Sequence, residues 1–170
     1  ILDRYCFDEM LKAAEKTRNK FIVDYVKMLI DSNNIKTFVR LKKMKKSWDF
    51  FNKVFLKGGN IQDHIFIRNY DEPFEKFGEL LLAYGYKDVF LEGTEALAET
   101  GKFTKLEKLL DNKLIEHVKS AKYFPYGIEA LAGYLIAKDN EIKIARIILA
   151  GKTAGISPDL IRERVRETYV

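Results

Sequence analysis

No proline interrupts the segment between Pro125 and Pro158, and within it apolar residues return every three or four positions. Ile128, Leu131, Leu135, Ile142, Ala145, Ile148 and Leu149 carry the spacing that lines one face of a helix. The reading is one long helix within the stretch Tyr123 to Lys152; roughly 25 helical residues make about 37 Å of rod. Charge is confined to Glu129 and to the block Lys138, Asp139, Glu141, Lys143 and Arg146. That pattern predicts buried ends and a centre that meets water or a partner. Gly151 and Lys152 suit the closing turn, where a glycine ends a helix and a cation faces its negative pole.

The rest of the chain reads as shorter helices. An amphipathic helix begins near Asp3 as cap and runs to Arg18, with Tyr5, Phe7, Met10, Leu11 and Ala14 on its apolar side. Asn19 to Met44 is a second long helix, and Ser32-Asn33-Asn34 is its weak point, because these side chains compete for backbone hydrogen bonds. Ser47 caps a short helix ended by Gly58-Gly59, and a further helical segment runs from Asn60 to Asn69. Pro73 and Pro125 open helices, Gly85 and Gly93 punctuate the region between, and Thr104-Lys105-Leu106-Glu107 has the form of a capping box. Ser157-Pro158-Asp159 supplies cap, first-turn proline and early acid for the last helix. No sustained two-residue alternation occurs, so the fold class is all-α.

A chain of 170 residues forms one domain or two small ones without needing a staple. Its single cysteine, Cys6, fits a reducing compartment and reads as a small buried residue. The opening ILDRYCFDEM has neither a basic leader nor a long apolar run, so no signal peptide is visible and the segment reads as a piece of something longer. The most apolar windows fall well short of the ~20 residues of a membrane helix. Of the net charge of +5, residues 1 to 58 hold 14 basic against 7 acidic side chains. Such asymmetry suits an acidic partner, an anionic lipid surface or nucleic acid.

The run PYGIEALAGYLIAKDNEIKIARIILAGKTAGISPDLIRERVRETYV resembles the C-terminus of the C subunit of V-type and A-type rotary ATPases, whose eukaryotic counterpart is the V-ATPase d subunit. FIVDYVKMLIDSNNIKTFVR, Gly58-Gly59-Asn60-Ile61 and LEKLLDNKL resemble further stretches of that family, so the likeness covers nearly the whole chain, while the family's N-terminal third or more has no counterpart. The resemblance implies a non-catalytic rotor subunit, without cofactor or metal. It would link the D- and F-type subunits of the central stalk to the membrane's proteolipid ring and pass torque between ATP chemistry and proton or sodium transport. It also implies a peripheral location on the cytoplasmic face of the membrane.

An internal echo accompanies it. Aligning Ile35 with Ile142 also pairs Asn33 with Asn140, Lys36 with Lys143 and Lys45 with Lys152. The family is similar to a protein of three helical units about a pseudo-threefold axis. Two of the three are then present, residues 1–58 holding part of the middle unit and 59–170 the C-terminal one.

Local chemistry is sparse. Gly151-Lys152-Thr153 resembles the end of a phosphate loop, but Arg146 stands where its first glycine belongs and a helix precedes it in place of a strand. His64 and His117 lack metal-ligand spacing and read as surface or boundary residues, and no catalytic set emerges. Phe50, Phe51, Phe55, Phe66, Tyr70, Phe74 and Phe77 read as mostly core. The residues expected at a partner interface are Lys36, Arg40, Lys143 and Arg146, where charge interrupts otherwise apolar helices. An alternative is a basic helical domain that binds nucleic acid or anionic lipid through Lys36 to Lys46. Nucleic acid is the less favoured of these, since interleaved aromatics are lacking.

Overall fold

A computed structural model describes residues 2–124 and 126–169. Among them the chain is all-α, without strands. The helices are α1 (Leu2–Lys16), α2 (Lys20–Lys43), α3 (Trp48–Val54), α4 (Asp63–Arg68), α5 (Phe74–Leu80), α6 (Lys87–Thr100), α7 (Thr104–Lys119), α8 (Ile128–Thr153) and α9 (Pro158–Arg164). Short 3-10 turns, Leu81–Tyr84 and Ser120–Tyr123, follow α5 and α7.

Helix α2 is the axis of packing. Ala14, Phe7 and Leu11 of α1 cover one side of it, around Val26 and Ile30. The other side presents Ile35, Phe38, Val39 and Leu41 to an aromatic core drawn from α3 to α7. Phe38 stacks on Phe77 at 4.4 Å and meets Phe51, Phe66 and Tyr70 edge to face. Such ring pairs add about 0.5–1.5 kcal/mol each beyond the area they bury. Of the seven aromatics expected in the core, Phe50 is the exception: it is exposed.

The expected weak point at Ser32-Asn33-Asn34 does not break α2, because two polar side chains there are anchors for a segment distant in sequence. The Asn34 amide bonds both backbone groups of Leu56, and the buried Asp31 carboxylate accepts from the backbone N–H of Asn60 and of Ile61 and from the Asn60 side chain. Gly59 lies so close to Asp31 that a Cβ there would overlap the carboxylate.

Other local expectations shift. Gly93 does not punctuate the chain: it is buried inside α6, where a Cβ would stand 2.8 Å from the Leu106 Cα of α7. Thr104 is the first helical residue of α7, not its cap, and no side-chain capping bond forms there; Ser47 and Ser157 occupy N-cap positions without one. Cys6 is exposed, since α1 turns that face away from α2. The expected helix start at Pro125 lies outside the described residues, and α8 begins at Ile128, after Gly127 at φ 127°.

The ends of the two long helices share one construction. Met44, Lys45 and Lys46 donate to Arg40, Lys42 and Leu41, and Ala154, Gly155 and Ile156 donate to Ala150, Lys152 and Gly151. Lys45 (φ 53°) and Gly155 (φ 67°) are both left-handed, and a seven-residue helix follows each turn. This correspondence runs at an offset of 110 residues, Ser47 to Ser157, whereas the Asn-x-Ile-Lys centres align Ile35 with Ile142.

Candidate partner interface

Helix α8 touches the rest of the chain through its small side chains. Gly133, Ala137, Asn140 and Gly151 are its buried residues, and Gly133 and Gly151 bring it close to Ala121 and Ile161. Ile136, Ile144 and Ile147 are half-buried on its inner side, and a second row of large apolar residues faces outward. Ile128, Leu131, Leu135, Ile142 and Leu149 are between 47 and 64 % exposed, and Tyr134 shares that exposure. The expectation that both ends of this helix are buried is therefore wrong. The apolar spacing is real, but no element of the described chain covers it, as α3 to α7 cover the apolar side of α2. Ile128, Leu135, Ile142 and Leu149 recur at seven-residue intervals, the period at which one helix packs along another.

Beside this face, α2, α7, α8 and the residues after α9 enclose a cleft of about 380 Å³. Its apolar wall includes Leu29, Ile136, Ile144 and Ile147, and Asp111 is its electrostatic centre. One Asp111 oxygen accepts from Lys36 Nζ at 2.6 Å and the other from Arg166 Nε at 2.9 Å. Lys36 and Arg166 are each 17 % exposed, so these pairs are less screened than the chain's surface pairs. Tyr25 lies in the same cleft; burial first, then Asp139 and Asp111, push its hydroxyl up to about 12. The Asn140 amide donates to the Glu167 carbonyl and the Asn112 carbonyl oxygen accepts from Glu167 N–H, which holds the tail across the cleft.

Of the four expected interface residues, Lys143 and Arg146 line this cleft and Lys36 reaches its edge through Asp111. Arg40 stands apart, paired with Glu107 one turn before Asp111 on α7. Lys143 pairs with Asp139 on the exposed surface of α8, and Arg146 makes no hydrogen bond or ion pair among the described residues. Asp111 and Arg166 carry no signal in the sequence, being 55 positions apart without a motif. His117 stacks on Phe21 at 4.8 Å, with Nε2 3.0 Å from the Phe21 carbonyl, so it serves the α2–α7 contact. Among the described residues no helix is long and apolar enough to cross a membrane.

Residues 1–164 match the family model described as ATP synthase (C/AC39) subunit. The C subunit of the A-type ATP synthase of Pyrococcus abyssi is 27 % identical over 158 residues, covering 91 % of this chain and 42 % of the relative. That of Methanosarcina acetivorans is 28 % identical over 170 residues, covering 96 % and 46 %. The C subunit of the V-type sodium ATPase of Enterococcus hirae is 25 % identical over 169 residues, covering 99 % and 51 %. The chain thus spans about half the length of the curated relatives it matches. Comparison with solved structures gave no match. An all-α chain matched over residues 1–164, and similar along nearly its whole length to the C subunits of both A-type and V-type enzymes, belongs to the ATP synthase (C/AC39) subunit family.

Proposed function

We propose that this chain acts as a non-catalytic rotor component of an A/V-type rotary ATPase. It joins D- and F-type central-stalk subunits to the proteolipid ring and transmits torque for ATP-coupled proton or sodium transport. Residues 1–58 and 59–170 serve as part of the middle and the C-terminal unit of a threefold-like helical funnel at the cytoplasmic face of the membrane. Family membership and the matching ends of α2 and α8 support this reading. The observation that carries it furthest is the outward apolar face of α8, because large apolar residues at seven-residue spacing on a 26-residue helix suit a long helical partner. Lys143 and Arg146 flank that face and would set the partner's register and approach rate.

The basic stripe read for nucleic acid has less support. Lys36 and Arg40 are paired with acids, Lys42 donates to the Glu72 carbonyl and Lys43 to that of Gly101.

Co-elution of the chain with purified central stalk, and separately with detergent-solubilised proteolipid ring, tests the proposal at physiological salt. Binding to either, lost on Leu135→Glu/Ile142→Glu and weakened by Lys143→Glu/Arg146→Glu, is the expected result. Binding to neither component, by this chain or by a full-length relative, overturns it.

A further inference from the structure

We propose that the corner built from the α2–α3 turn, α3 and the start of α1 is a contact surface for an anionic phospholipid bilayer. The apolar part of the corner is large and outward-facing: Met44, Trp48, Phe50 and Val54 on the turn and α3, with Leu2 and Tyr5 on α1, are all exposed. Arg4 of α1 donates to the Lys53 carbonyl at 3.2 Å, and Arg4, Tyr5, Asp8 and Lys57 line one surface depression, so the start of α1 lies beside the end of α3.

Interleaved with these side chains are Lys45, Lys46, Lys53 and Lys57. None of the four ammonium groups makes an ion pair or hydrogen bond among the described residues, although those of Lys36, Lys42 and Lys43 and the Arg40 guanidinium just before them are engaged. Asp3, Asp8, Glu9 and Asp49 are the acids of α1 and α3 here, and Lys12 holds both Asp8, at 2.6 Å, and Glu9, at 3.0 Å; with Arg4 and the four lysines the surface stays positive. Lys45 occupies the left-handed position that Gly155 fills at the equivalent turn of α8, a conformation unfavourable to any residue with a side chain. The turn is fixed by Lys46 N–H bonding to Leu41 at 3.0 Å, which keeps Met44 to Trp48 at the rim of the molecule.

An interfacial tryptophan, aliphatic side chains and unpaired lysines are together the chemistry of a bilayer's headgroup zone, where rings sit among the headgroups and each ammonium meets a lipid phosphate. Single-stranded nucleic acid would use the aromatics for stacking and leave Leu2, Met44 and Val54 without a role. The inference goes beyond the rotor assignment and does not require it.

Trp48 is the chain's single tryptophan, so its fluorescence reports the patch directly. With the full chain and vesicles of phosphatidylcholine and phosphatidylglycerol at 3:1, the expected result is a blue shift of Trp48 emission and protection from acrylamide. Both effects should weaken with salt and be absent with pure phosphatidylcholine. Lys45→Gln/Lys46→Gln should lower partitioning roughly 30-fold, about fivefold per lysine, and Met44→Ser should reduce it while the circular-dichroism melt stays unchanged. Vesicle binding without a Trp48 shift, equal binding to neutral vesicles, no binding at low salt, or full retention in the lysine variant each overturns the proposal. Tighter binding to single-stranded RNA with Trp48 quenching would assign the corner to nucleic acid instead. None of these readouts involves stalk or ring, so failure here leaves the co-elution result untouched.

Discussion

Asn34 and Leu56 close a two-bond ring: the Asn34 amide nitrogen donates to the Leu56 carbonyl at 2.8 Å, and the Leu56 N–H returns to the Asn34 oxygen at 2.9 Å. The ring ties the segment after α3 to the middle of α2, in the buried zone where α1 also packs. Asn34→Ala leaves both backbone groups of Leu56 buried without partners. At about 1–3 kcal/mol per orphaned group, a loss of about 2–6 kcal/mol is expected in urea unfolding. A loss under 1 kcal/mol would mean that water replaces the amide.

Asp31 should give the chain an acid-side stability slope of unusual sign. Burial raises its folded pKa, and the hydrogen bonds from Ile61 and Asn60 and the charge of Lys27 offset this only in part. Between the ordinary carboxylate value near pH 4 and the raised folded value, the folded chain holds a proton that the unfolded chain has released. The Asp31 contribution to stability is therefore greatest at the acid end of that window and declines as pH rises through it. Denaturant titrations from about pH 4 to 7 should show this decline in the wild type relative to Asp31→Asn, and parallel curves would refute it.

Gly93→Ala sets helix propensity against packing. Alanine would favour α6 by about 1 kcal/mol, but its methyl would meet the Leu106 backbone at 2.8 Å. Over-packing against backbone costs about 1–3 kcal/mol or more, so net destabilisation is expected. A raised Tm would show that α6 and α7 can separate without loss.

Removing Asp111 strands two cations at once. Asp111→Ala leaves Lys36 and Arg166 unpaired at the cleft, and breaking such largely buried pairs costs up to about 3–5 kcal/mol. Arg166 belongs to the tail, so hydrogen exchange should quicken across residues 165–169 ahead of the rest. Unchanged exchange there would show that Asn112, Asn140 and the Lys119–Glu167 pair hold the tail without Asp111.

The exposed face of α8 gives the opposite outcome. Leu135→Gln and Ile142→Gln remove outward-facing residues, so each melt should shift by no more than about 0.5 kcal/mol. A loss above 2 kcal/mol in dilute protein would mean that the face is covered in the free chain.

The sequence alone determined where helices form, because apolar spacing, glycines and the first-turn proline of α9 act within a few residues of themselves. It also marked Lys143 and Arg146 as lying together on α8. Which faces are covered was decided only by the tertiary structure. The apolar patterns of α2 and α8 look alike along the chain, yet α1 and α3 to α7 pack around α2, while α8 meets its neighbours through Gly133, Ala137 and Gly151. Asn34 belongs to a stretch that reads locally as a weak point of α2, and Asp31 just before it carries no local signal, since local propensity registers only competition for nearby backbone. Their partners lie 22 to 30 positions away, and only the folded chain brings Leu56, Asn60 and Ile61 within hydrogen-bond reach. Asp111 joins Lys36 to Arg166 by the same long-range closure, which no spacing rule within a single helix could encode.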